Sequence, residues 1–149
     1  MTALAAAVDN LLAMMRVDPD LSTAQIFDGP LIVEPSLHHD AAITVGWLPD
    51  EGYAIEWTTE PESLAAGDDR EDFTITGAIS VVNGDVRKLP DIRRRAVALL
   101  TAIRSLVASD RTLRGAVSTA TVNTVSAAPT QDADGAAFTI YFTVAITVF

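Results

Sequence analysis

His38-His39-Asp40 is the one run in this chain that sets imidazoles beside a carboxylate, as a metal site could use. Neighbours on an extended chain point to opposite sides, so the two imidazoles do not readily share one ion, and a solvated loop is the plainer reading. Asp68, Asp69, Glu71 and Asp72 offer carboxylates to a hard cation, yet they lack the alternating ligand spacing and fixed glycine of a calcium loop. That group reads as a mobile acidic loop. Arg87, Lys88, Arg93, Arg94 and Arg95 crowd the start of a predicted helix, where the macrodipole disfavours each positive charge by about 0.3–1 kcal/mol. A phosphate, an acidic protein surface or plain solvent would all suit such a cluster.

Chemistry beyond these groups finds little to work with. The chain has no Gly-x-Ser-x-Gly elbow, Walker loop, dinucleotide glycine fingerprint or His-Glu-x-x-His helix, and it has no cysteine. With two adjacent histidines and no thiol, nucleophilic catalysis lacks its usual parts, although carboxylate-only chemistry stays open. The expectation is a protein without catalysis, metal or cofactor.

Charge is sorted along the chain. Twelve of the thirteen charged residues from Asp28 to Asp72 are acidic, whereas eight of the ten basic residues lie between Arg87 and Arg114. A molecule offering an acidic and a basic surface can bind a copy of itself head to tail, which builds closed rings or open filaments. Asp68, Asp69, Glu71 and Asp72 on one side and the five basic residues on the other are therefore the candidate interface residues; a merely solvated helix face stays open beside this, since isolated surface pairs contribute about 0–1 kcal/mol. The formal net charge of −10 argues against nucleic-acid affinity, which depends on neutralising phosphates with Lys and Arg.

The elements that must position these residues follow from periodicity. At 149 residues the chain suits one domain, residues 1–149, and is long enough to bury roughly 68–70% of the surface its unfolded state exposes. Thr2 can cap a helix whose stripe is Leu4, Val8, Leu11, Leu12 and Met15 and which stops near Asp18-Pro19. Asp9 and Asn10 interrupt that stretch, which reads as neither signal peptide nor membrane span. A short strand is expected from Ala24 to Phe27 into the turn Asp28-Gly29-Pro30, and further strands at Ile43 to Leu48 and Tyr53 to Thr58, paired as a hairpin through Pro49-Asp50-Glu51-Gly52. Trp47 and Trp57 lie on that hairpin, with core packing as the default for both. Glu60 to Asp72 reads as a mobile loop.

Phe73, Ile75, Ile79 and Val81 alternate with Thr74, Thr76, Ala78 and Ser80, the period-two pattern of a half-buried strand ending at Asn83-Gly84-Asp85. A second helix, Leu89 to Ala108, carries Ile92, Ala96, Leu99, Leu100, Ile103, Leu106 and Val107 on one face, with Arg93, Arg94 and Arg95 mostly off it. Gly115 to Phe149 holds only two charges, Asp132 and Asp134, both in the loop Pro129 to Gly135, and reads as a long hairpin. In its second arm Phe138, Ile140, Phe142, Val144, Ile146 and Val148 share one face and Thr139, Tyr141, Thr143 and Thr147 the other, and each arm would span roughly 40 Å. Exposed sheet edges are normally blunted by Lys, Pro or inward charge, and only Pro129 could serve here. Either both arms are interior strands, or an edge is covered by a neighbouring subunit. Asp132, Asp134 and Phe149 are candidate ring or lumen contacts.

Read in order, the first helix, Gln25-Ile26-Phe27-Asp28-Gly29-Pro30, Val45-Gly46, Glu56-Trp57, Phe73-Thr74-Ile75-Thr76, the Ala- and Arg-rich helix, Leu113-Arg114-Gly115-Ala116-Val117 and the final long strand resemble tail terminator proteins of long-tailed bacteriophages. The resemblance covers nearly the whole chain. It implies an α+β subunit in which an antiparallel or mixed sheet with a long C-terminal hairpin packs on two amphipathic helices. It further implies a hexameric ring, built in the host cytoplasm and sited at the neck of the virion, that caps the tail tube, stops its polymerisation and meets the head connector or stopper protein. DNA would pass through the lumen without specific binding, and no membrane is involved. The family has no short signature that fixes individual residues. Other neck components, namely a head-tail joining or stopper protein or a tube subunit, and a stand-alone acidic ligand-binding module are the alternatives.

Overall fold

The computed structural model describes residues 3–29, 40–46, 55–61, 69–132 and 135–149. Two helices, α1 (Leu4–Val17) and α2 (Leu89–Ser109), accompany six strands: β1 (Gln25–Asp28), β2 (Ala41–Val45), β3 (Ile55–Pro61), β4 (Asp69–Asn83), β5 (Thr119–Asp132) and β6 (Gly135–Val148). All six form one mixed sheet, so the architecture is the α+β one expected. Its path is β1-β2-β4-β6-β5, with β3 also on β4, and only the β1–β2 pair is parallel.

Alternation on β4 organises the core. Phe73, Ile75, Ile79 and Val81 are buried, and they stand opposite Ile146, Val144, Ile140 and Phe138 of β6. Residues directly opposite on paired strands share a face, so the two longest strands present one apolar surface. On α2, Ile92, Ala96, Leu99, Leu100, Ile103 and Val107 are buried, with Leu106 at the margin; the stripe recurs at three and four residue steps and lies on that surface. From α1, Ala7, Leu11, Leu12, Met14 and Met15 join the same cluster.

Glycine at position 77 is required by this packing. A Cβ there would stand 2.5 Å from Phe142 Cζ and 2.6 Å from the Thr44 carbonyl oxygen, so the Phe142 ring occupies the space a side chain would need. Gly135 opens β6 at φ 131°, where a Cβ would run into the Asn83 carbonyl.

Four sequence expectations change. The cap position of α1 is Ala3, whose side chain makes no capping bond; Thr2 lies outside the described residues. The helix does stop at Val17, and the Asp18 carboxylate accepts the Asp20 amide in the short 3-10 turn Pro19–Leu21. β2 and β3 are not a hairpin: β2 pairs with Gly77–Val81 and β3 with Asp69–Ile75 on the same edge of β4, running in one direction. Fifteen residues of β4 extend about 50 Å at 3.3–3.4 Å each, long enough to take both in succession. Residues 47–54 between them, with Trp47, lie outside the described residues, and Trp57 is placed opposite Phe73 in register.

Glu60 to Asp72 is not one loop. Glu60 and Pro61 pair with Arg70 and Asp69, so strand pairing reaches well into the acidic stretch, while residues 62–68 lie outside the described residues. Pro129 to Gly135 is likewise mostly strand: Pro129, Thr130, Gln131 and Asp132 oppose Phe138, Ala137, Ala136 and Gly135, and only residues 133 and 134 connect the arms. Cross-strand pairing overrides the turn preference of Pro and Asp in both places.

Gly77→Ala should destabilise the subunit by about 1–3 kcal/mol, the usual cost of overpacking a filled core. A lowered urea midpoint checks this; an unchanged midpoint would mean that the Phe142 ring can move aside.

Candidate interface

Among the described residues β6 is an interior strand and β5 an edge strand, so the reading that both hairpin arms are interior does not hold. From Gly115 to Gln131 there is no charged residue. Near its start β5 is well covered, with Ala120 and Val122 buried opposite Ile146 and Val144. Beyond Val122 the cover ends: Thr124, Ala127 and Pro129 are exposed, although the β6 residues opposite them, Phe142, Ile140 and Phe138, are buried. The helix layer therefore shields the core face of β5 only toward Thr119. Pro129 is the one edge-blunting residue type between Thr124 and Thr130.

On the outer face, Thr139, Tyr141, Thr143 and Thr147 are half-buried and stand opposite Ser80, Ala78, Thr76 and Asp72 of β4. Asp72 closes this face. Its Oδ1 accepts the Thr147 hydroxyl at 2.7 Å and its Oδ2 accepts the Arg70 Nε at 3.0 Å. The Arg70 guanidinium carbon also lies 5.5 Å from the centre of the Phe149 ring, within cation–π range. Ser118 Oγ accepts the Phe149 amide at 3.0 Å, yet Phe149 stays 70% exposed. The single basic residue of the acidic segment thus ties the end of β6 to the start of β4. The Thr147 hydroxyl above all holds the Asp72 carboxyl below its ordinary value of 3.8; desolvation opposes it, and the hydrogen bond and charge of Arg70 add to the lowering.

Of the other acidic candidates, Glu71 is buried on β4 opposite Val148, and Asp69 is placed by its pairing with Pro61. Asp68, Asp134, His38 and His39 lie outside the described residues, and Asp132 ends β5 opposite Gly135.

The basic candidates are together at the start of α2 and mostly committed within the subunit. Arg87 bridges Asp85 at 3.1 Å, and Asp91 receives both Arg94 at 3.2 Å and Lys88 at 3.8 Å. Arg95 donates to the Thr23 carbonyl at 3.1 Å. Arg93 has no ion pair among the described residues; its guanidinium carbon lies 6.0 Å from the Phe138 ring centre. Asp85 and Asp91 thus offset three of these five positive charges within the subunit, a local pairing that charge counting along the chain missed. Sequence reasoning also passed over Thr124 and Ala127, because exposure of the core-facing side of a strand depends on where the covering helix ends.

A depression of about 510 Å³ opens between the turn after α1 and the start of β1, lined by Arg16, Ser22, Thr23, Gln25 and Asp40 among others. No family model matches the chain, and no curated protein matches it.

Because the folded pKa of Asp72 lies below 3.8, its contacts stabilise the fold above that pH and are lost as pH falls through the lower folded value. Wild type and Asp72→Asn should therefore differ in thermal midpoint near neutrality and converge in strong acid. Parallel curves at all pH values would show that the carboxylate contributes nothing through its charge.

Proposed function

We propose that the chain is a ring-forming structural subunit of the phage head-tail interface, a tail terminator that caps the tail tube and meets the head connector. The observation that carries this reading is β5: a fourteen-residue edge strand with no charge before Asp132 and a core face left open beyond Val122. Edges of this kind template pairing with another chain unless they are blunted or covered, and assembly covers them. The ordered resemblance of nearly the whole chain to terminators supports the particular role. Neither catalysis nor a cofactor enters this reading.

Light scattering over a range of protein concentrations should show species well above the 15.8 kDa subunit, either alone or on purified tail tubes. A strict monomer under both conditions would sink the proposal. In phage lacking the intact gene, electron microscopy should show overlong tubes without heads; tails of normal length would point to another neck component.

The charged segments make a second, separable prediction. Arg93→Glu, Arg94→Glu and Arg95→Glu together should weaken assembly, and raised salt should mimic the change in part. Assembly unaffected by both would mark the cluster as a solvated face satisfied by Asp91 and Thr23.

A further inference from the structure

We infer that the sheet continues from one copy to the next, the distal half of β5 pairing antiparallel with β1 of a second copy. The inference rests on the ring reading and names the surfaces that join.

Register places the two edges at one height. Ala127 stands opposite Ile140, Ile140 opposite Ile79, Ile79 opposite Ile43, and Ile43 opposite Ile26. A second row runs Thr124, Phe142, Gly77, Val45, Asp28. Among the described residues β1 and β5 are the two ends of the strand path, and a sideways step from one copy to the next sets β1 beside the stretch of β5 that its own helices leave open. β1 runs with β2, β2 against β4, β4 against β6 and β6 against β5. Rotation about an axis along the strands preserves those directions, so the junction is antiparallel.

Backbone orientation agrees. The Gly29 amide donates to the Val45 carbonyl at 2.9 Å, which turns the backbone groups of alternate residues from Gly29 back toward β2 and those of Ile26 and Asp28 outward. Ile26 packs against the core from this end of the sheet. Its layer would continue over Ala127 and Thr124 of the neighbour, the positions where small residues lie uncovered beside buried Phe142 and Ile140. Such a contact joins two different edges, the heterologous type that closes a ring when its rotation permits.

The chain has no cysteine, so introduced thiols report cleanly. Asp28 and Thr124 are both exposed and occupy the same row. Asp28→Cys with Thr124→Cys in one chain should, on mild oxidation, give a ladder of disulfide-linked oligomers on a non-reducing gel, while a mixture of the two single variants should stop at the linked pair. Thr124→Lys with Ala127→Lys should abolish assembly in light scattering while leaving the circular dichroism spectrum and urea midpoint near those of wild type. Assembly that persists with the lysines, or forms without the cross-link, overturns the edge pairing and leaves the ring reading standing. Efficient linking of Thr124→Cys alone would show β5 pairing with β5 of another copy, which also overturns it. Wild type that never assembles defeats both.

Discussion

Everything in this subunit depends on β4 being paired along both edges while its side chains alternate strictly between two faces. A period of two admits no partial slip, since a shift of one residue would turn Phe73, Ile75, Ile79 and Val81 outward together. That single constraint sets the facing of β2 on one side and of β6 on the other, and through them of β1 and β5. The row Ile26, Ile43, Ile79, Ile140, Ala127 is its consequence: five strands agree on one core face because each must match its neighbour. Gly77 sits in the middle of β4 and gives its side-chain space to Phe142, so the central layer closes around an aromatic ring from the adjacent strand.

Polar interactions then finish what the apolar layer begins. Asp72 joins β4 to β6 through Thr147 and holds Arg70 beneath Phe149, with all of its partners in one corner of the sheet. Asp110 does similar work after α2. Its carboxylate accepts the amides of Thr112 and Arg114 and the Thr112 hydroxyl, holding a turn in which Leu113, Arg114 and Gly115 all have positive φ. The buried side chain of Leu113 shows why a non-glycine residue is kept in that conformation.

For assembly, magnitudes separate two kinds of contact. The ion pairs of the basic cluster are exposed and lie within one subunit, where each contributes about 0–1 kcal/mol. Drawing those arginines into a contact with another copy means giving up partners they already have. A strand edge gives up only water, and each backbone hydrogen bond gained is worth about 0.5–1.5 kcal/mol net, with apolar cover in addition. In the proposed ring the neutral edge therefore supplies the larger share, and charge serves orientation and rate.

The sequence by itself determined the elements whose signal is periodic: α1 and its stop at Asp18, the alternating strand Phe73 to Val81, the apolar stripe of α2 and the second arm of the hairpin, where Phe138, Ile140, Phe142, Val144 and Ile146 share a buried face. Those patterns are local, because a side chain's direction along a helix or strand repeats with the backbone. Tertiary structure alone decided the pairings. Ile43 to Thr58 looked like a hairpin because a turn lay between two short strands, yet β4 is long enough to take β2 and β3 one after the other. Pro129 to Asp132 looked like loop, and pairing with β6 made it strand. The most consequential features of the candidate interface, β5 at the edge and Thr124 and Ala127 uncovered on their core side, have no local signature at all, since they depend on which strand lies beside which and on how far a helix from elsewhere in the chain reaches across them.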